Sequence, residues 1–165
     1  MNTIKNIFLS SPVFALVLII VSLGSNAISK DDGDSLIEIT ANTMEWDDIN
    51  LKAIAKGSAK AVQGSRVLKA DDLIAELYST KLEDGTSANE VHTIFALGNV
   101  IFTREGEIAK GIKGEYNVID EIIILEGNVS LKKGSDIIFG EKLKIDLKSG
   151  KSSVLSIKNK NKVKM

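Results

Sequence analysis

The sequence predicts an all-β fold built from stacked repeats, and three observations carry the prediction. One phrase recurs: Ala96-Leu97-Gly98-Asn99-Val100 and Leu125-Glu126-Gly127-Asn128-Val129 share a Gly-Asn pair between apolar residues, with a looser copy at Ala55-Lys56-Gly57-Ser58-Ala59. A second phrase follows each copy, as Leu68-Lys69-Ala70, Ala109-Lys110-Gly111 and Ile138-Phe139-Gly140. Self-similarity of this kind marks copies of one supersecondary unit that bury a face by stacking. Finally, apolar residues alternate with polar ones, and no segment after residue 30 sustains a helical period. A single proline and many Val, Ile and Leu suit strands.

In chain order, residues 1–27 read as a secretory signal peptide. Lys5 precedes an apolar run from Val13 to Leu23, and Ser25-Asn26-Ala27 supplies small residues for cleavage after Ala27. The rival is an uncleaved anchor, since the stretch from Ile7 to Leu23 is just long enough to cross a bilayer. Residues 28–35, acidic and glycine-bearing, form a flexible lead-in. Residues 36–157 form the folded domain, and residues 158–165, with Lys158, Lys160, Lys162 and Lys164, a basic tail.

Within the domain, Ile37, Ile39 and Ala41 alternate with polar residues, after which the apolar parity shifts to Met44 and Trp46. The same slip separates Leu68 and Ala70 from Leu73, Ala75 and Leu77, and Ile138 from Leu143, Ile145 and Leu147. An extra residue that flips the facing side chains is what a β-bulge does, and its recurrence predicts a shared backbone feature. The glycine phrases give the other inward column: Ala53, Ala55, Ala59 and Ala61 correspond to Ile94, Ala96, Val100 and Phe102, then to Ile123, Leu125, Val129 and Leu131. The glycine itself marks a kink or a close backbone approach. Residues 79–90, with Asp84-Gly85, read as a polar loop that lengthens the spacing between the first two copies.

Composition excludes much chemistry. With no cysteine and one histidine, His92, the chain lacks the partners for a thiolate metal site or a nucleophile–base pair. The reading is a non-enzyme with no cofactor. Acidic pairs at Asp31-Asp32, Asp47-Asp48 and Asp71-Asp72 raise calcium as a question, but turn chemistry accounts for them equally well. A net charge of −1 gives no general case for nucleic acid. The inward column could be a packed core or could hold an acyl chain, and alternation alone leaves both open.

These residues resemble the OstA/LptA-like family of lipopolysaccharide-export proteins. The likeness rests on Ile39-Thr40-Ala41-Asn42-Thr43-Met44-Glu45-Trp46-Asp47, on the two Gly-Asn-Val phrases, and on Ala70-Asp71-Asp72-Leu73-Ile74-Ala75. It covers about residues 36–150. The resemblance implies a repeat-built antiparallel β-jelly-roll whose two sheets splay around an apolar groove. It also implies a periplasmic protein that binds lipopolysaccharide and carries it from the inner to the outer membrane. Lipid A acyl chains would then lie along Ile39, Ala41, Met44, Trp46, Ala55, Ala59, Leu73, Ala75, Ile94, Ala96, Val100, Phe102, Tyr116, Leu125, Val129, Leu131, Leu143 and Ile145. Partners implied are an inner-membrane anchored export subunit, an outer-membrane translocon, and further copies joined head to tail by edge strands. Two alternatives stand beside this one: the membrane-anchored subunit of the same machine, and a structural β-repeat protein that holds no lipid.

Overall fold

The computed structural model describes residues 18–19 and 32–156. The cleavage site at Ala27 and the basic tail 158–165 lie outside the described residues. A short 3-10 turn at Asp32–Asp34 precedes the domain. The strands are β1 (Leu18–Ile19), β2 (Ile37–Thr40), β3 (Thr43–Asp47), β4 (Lys52–Gln63), β5 (Arg66–Lys81), β6 (Ser87–Arg104), β7 (Glu107–Asn117), β8 (Ile122–Lys133), β9 (Asp136–Asp146) and β10 (Ser152–Leu155). They form one antiparallel sheet in the order β1-β2-β4-β5-β6-β7-β8-β9-β10, with β3 also paired to β4. Apart from the split between β2 and β3, successive strands are neighbours, as a meander requires. The hydrogen-bonded unit is therefore a single unclosed sheet and not two separately bonded ones. Among the described residues, no helix is long and apolar enough to cross a membrane.

The recurring phrase has a definite backbone role. Gly57-Ser58, Gly98-Asn99 and Gly127-Asn128 each place two successive residues at positive φ, near 78° and 50°, 76° and 47°, and 81° and 47°. Register shifts fall at the same level on each strand pair: Lys56/Ala59, Lys69/Asp72, Leu97/Val100, Lys110/Lys113 and Glu126/Val129. A line of bulges thus crosses the sheet, and the parity slip in the sequence is its signature. Glycine takes the first left-handed position without steric cost, and asparagine tolerates the second better than most residues. Side chains fasten the line: Asn99 Nδ2 donates to Asp71 Oδ2 at 2.9 Å, and Gly57 N donates to Asp72 Oδ1 at 3.0 Å. Ser58, the one departure from Gly-Asn, occupies the same conformation. Ser58→Asn is expected to stabilise the fold by a few tenths to about 1 kcal/mol, read as a higher urea midpoint at an unchanged slope.

Each strand crossing this line turns its fully buried apolar residues to one face. Ala53, Ala55, Ala59 and Ala61 on β4 are all buried, as are Ile94, Ala96, Val100 and Phe102 on β6. No second layer of helix or sheet is available among the described residues to cover that face, so the sheet covers it with itself. Contacts across the bulge line agree. Tyr116, on the far side of the line from Gln63 and Arg66, donates its hydroxyl hydrogen to Gln63 Oε1, and Arg66 Nη1 donates to the Tyr116 hydroxyl at 3.3 Å.

Residues 79–90 correct the sequence reading. They are a hairpin extension and not a loop: Tyr78, Ser79, Thr80 and Lys81 pair with Glu90, Asn89, Ala88 and Ser87. Only residues 82–86 turn, with Gly85 at positive φ and Thr86 N bonded to Asp84 Oδ1 at 2.9 Å. The polarity that signalled a loop reflects a two-stranded ribbon largely exposed to water, whose hydroxyl residues still suit extended backbone.

Candidate functional site

The residues expected to line a groove fall into rows that cross the sheet. Cross-strand partners face the same way, so one row runs Trp46, Ala53, Ala75, Ile94, Tyr116, Ile123, Ile145. The next runs Met44, Ala55, Leu73, Ala96, Gly114, Leu125, Leu143. Beyond the bulges, where Ala59, Val100 and Val129 sit, a third row joins Ile39, Ala61, Leu68, Phe102, Ala109, Leu131 and Ile138. Ala41 lies in the link between β2 and β3. Apart from Ala41 in its link, the eighteen residues thus share one face with Ala53, Ala61 and Ile123 of the expected inward column, and Leu68 and Ala109 stand in the same rows.

On this face most of those side chains are closely packed. Leu73, Ala75, Ile94, Ala96, Leu125, Leu143 and Ile145 are each 0% exposed. Gly114 explains the density at the centre. A Cβ there would stand 2.9 Å from Leu125 Cδ2 and 3.1 Å from Val100 Cγ1, so neighbours already fill the space that a glycine leaves. An apolar cavity beside Leu68, Ile94 and Phe102 amounts to about 10 Å³, around the minimum for one water. Only the rims differ. Trp46 is 42% exposed at the β3 edge, Met44 is half-buried beside it, and Ile138 is 53% exposed at the β9 edge.

Sequence reasoning missed the polar cluster at the end of the apolar rows. Gln63, Arg66, Tyr116 and Glu121 are all buried there. Arg66 Nη2 lies 2.7 Å from Glu121 Oε2, and Gln63 Nε2 donates to the Gly33 carbonyl at 2.8 Å. Burial works against the Arg66 charge, but its bonds to Glu121 and Tyr116 outweigh that and raise its pKa. The available signal was Tyr116 itself: a phenol alone in an aliphatic row needs a hydrogen-bond partner when buried. Beside the cluster is a cleft of about 310 Å³, bordered by Leu36, Tyr78, Glu90, Val91 and Lys148.

A second buried carboxylate, Glu107, contacts Lys133 Nζ at 2.6 Å and Arg104 Nε at 3.2 Å. Burial pushes its pKa up, but the two cations outweigh this and hold it below the ordinary value. A depressed folded pKa contributes stability that is present above the unfolded pKa and lost as pH falls through the folded one. Glu107→Gln is therefore expected to lower stability at neutral pH and flatten the loss of stability below about pH 4.5. Urea titrations across that range check it.

The other polar motifs resolve into local structure. Asp32 accepts hydrogen bonds from Ser65 N and Oγ, Asp47 accepts from Ile49 N and Asn50 N, and Asp71 accepts from Asn99. His92 Nδ1 lies 2.7 Å from Thr93 Oγ1, and its ring meets Tyr78 edge-on. Among the described residues, no group of acids and histidine is arranged to hold a metal.

Comparison with known proteins follows the same lines. Residues 38–151 match the family described as LptA/(LptD N-terminal domain) LPS transport protein. An uncharacterized protein of Rhizobium meliloti is 28% identical over 123 residues, which span 73% of this chain and 66% of that protein's length. The fold is similar to the crystal structure of LptH from Pseudomonas aeruginosa, the LptA homologous periplasmic component of a lipopolysaccharide transport device. There the TM-score is 0.64 at 16% identity, covering 81% of this chain and 92% of that one.

Proposed function

Because the chain belongs to the LptA/LptD N-terminal domain family of lipopolysaccharide transport proteins, we propose that it is a periplasmic carrier that takes lipid A acyl chains against the apolar face of its sheet. The observation that carries this reading is a long apolar face that, among the described residues, is covered by its own sheet, with apolar rims at Met44 and Trp46 on one edge and Ile138 on another. In the proposal the bulge line is a crease. The halves on either side of it act as two splayed sheets of a jelly-roll, and acyl chains enter from the rims as the halves part. Each buried methylene gains about 0.8 kcal/mol, which offsets the separation of packed side chains.

Cleavage after Ala27 would release residues 36–157 as the working domain. Free edges suit the expected partners. The part of β9 from Asp136 to Phe139 has no strand partner on the side away from β8 among the described residues, and the edge of β2 already accepts an extended segment, Leu18–Ile19. Strand addition at such edges would join copies head to tail and connect an inner-membrane subunit to an outer-membrane translocon.

The test is to offer lipopolysaccharide to the purified chain, repurify it, and measure intact mass and extracted lipid. A chain beginning at Ile28 that retains lipid A supports the carrier. A full-length chain confined to membranes points to the anchored subunit. A folded chain that retains no lipid leaves a structural β-repeat protein.

A further inference from the structure

The two halves of the sheet differ in how their outer faces handle charge. On the β3 side of the bulge line three of the outer-face lysines are matched to acids, Lys52 with Glu76 at 2.8 Å, Lys56 with Glu45 at 3.0 Å, and Lys142 with Glu126 at 2.7 Å, while Lys113 and Lys144 stand among acids on neighbouring strands without a direct ion pair. On the β2 side the matching stops. One cross-strand row of the outer face reads Thr40, Lys60, Lys69, Ile101, Lys110, Ser130, Phe139. The neighbouring row carries Ile108, Lys132 and Ile137, with Glu38 at its far edge. Lys60, Lys69, Lys110 and Lys132 are all exposed, and among the described residues none has an ion-pair partner. Lys60 and Lys69 stand directly opposite each other, a like-charge pairing that works against the sheet. The nearby Asp71 is engaged by Asn99 and offers little relief.

Apolar side chains are interleaved with these lysines. Phe139 is 71% exposed and Ile137 52%, both on the same outer face and both on the unpaired part of β9. Cations on flexible stems with an aromatic and aliphatic rim among them fit an interface between water and lipid. There, phosphates meet the lysines while the apolar groups settle below the headgroups. We propose that the outer face of the β2-side half docks flat on the surface of a bilayer containing anionic phospholipid, through Lys60, Lys69, Lys110 and Lys132 with Phe139 and Ile137. This surface lies opposite the apolar face of the proposed carrier, so either reading can fail without the other.

The experiment is cosedimentation of the chain, as isolated from cells, with phosphatidylcholine vesicles that contain phosphatidylglycerol, compared with phosphatidylcholine alone. Comparison among variants cancels any contribution of Lys5 and the apolar segment near residues 7–23, which all of them share. Partitioning is expected to favour the anionic vesicles and to lose that preference at about 0.5 M salt. Lys60→Gln with Lys110→Gln should cut the preference about 25-fold, at about fivefold per lysine. Lys52→Gln with Lys142→Gln, on the other half, should leave it unchanged. Circular dichroism checks that both variants are folded. Equal partitioning into both vesicles overturns the proposal, as does an equal loss in the two double variants. It is also overturned if glutamine at Lys158, Lys160, Lys162 and Lys164 abolishes the preference while the Lys60/Lys110 variant keeps it.

Discussion

Leu125→Asp is expected to abolish the folded state, while Ile138→Asp leaves it intact. Both residues lie on the apolar face of the sheet, and their difference is packing. Leu125 is fully buried between Gly114 and Leu143 in the row partnered across β7, β8 and β9, and its Cδ2 occupies the space over Gly114. A carboxylate there meets no cation and no water. Its desolvation costs several kcal/mol on top of the lost packing, against about 5–15 kcal/mol for a whole domain. The milder Leu125→Ala should cost about 2–5 kcal/mol. Ile138 belongs to the third row but stands more than half exposed at the β9 edge, so its carboxylate stays in water. Circular dichroism and urea titration separate the two variants. A folded Leu125→Asp chain would mean that the face opens more readily than its packing implies. If Ile138→Asp folds and also stops retaining lipid, the rim is where acyl chains enter.

Arg66→Met should destabilise the protein by about 3–5 kcal/mol, because it strands a buried carboxylate. Glu121 is 8% exposed, and its second cation, Lys148, is 3.8 Å away and largely in water. Glu121 also sits at φ 56°, a conformation that costs a non-glycine residue about 1–2 kcal/mol. Its carbonyl accepts a hydrogen bond from Leu147 N at 2.9 Å, and the ion pair with Arg66 satisfies its side chain. Adding Glu121→Gln to Arg66→Met should recover much of the loss, since a neutral amide tolerates burial better than an unpaired carboxylate. A double-mutant cycle in urea measures the coupling; strictly additive losses would show that the two side chains do not act as a pair.

The sequence made the sheet legible because the apolar alternation and the bulges leave the same trace in every copy. The slip from Ala70 to Leu73 locates a register shift that backbone pairing reproduces. The inward column from Ile94 to Phe102 was legible for the same reason: burial on one face of a strand obeys a period of two. Three features were not legible. The ribbon at 79–90 carries little apolar surface, so hydroxyl residues that pair across two strands look like those of a loop. The cluster of Gln63, Arg66, Tyr116 and Glu121 joins residues far apart in sequence, and no local pattern links them. The tightness of the centre depends on Leu125 filling the space over Gly114, and alternation reports which face a side chain takes but not how much room it finds.

The left-handed Gly-Asn pair sets a unit of growth for the molecule. It occurs on β6 and β8, with Gly-Ser in its place on β4, one strand in two, so the smallest insertion that preserves the line of bulges is a hairpin bearing one such pair. Each added hairpin would lengthen the molecule by two strand spacings, about 9.6 Å, across the strand direction. Its length can therefore change by duplication of short gene segments, in steps of fixed size, while the angle and chemistry of every existing strand stay as they are.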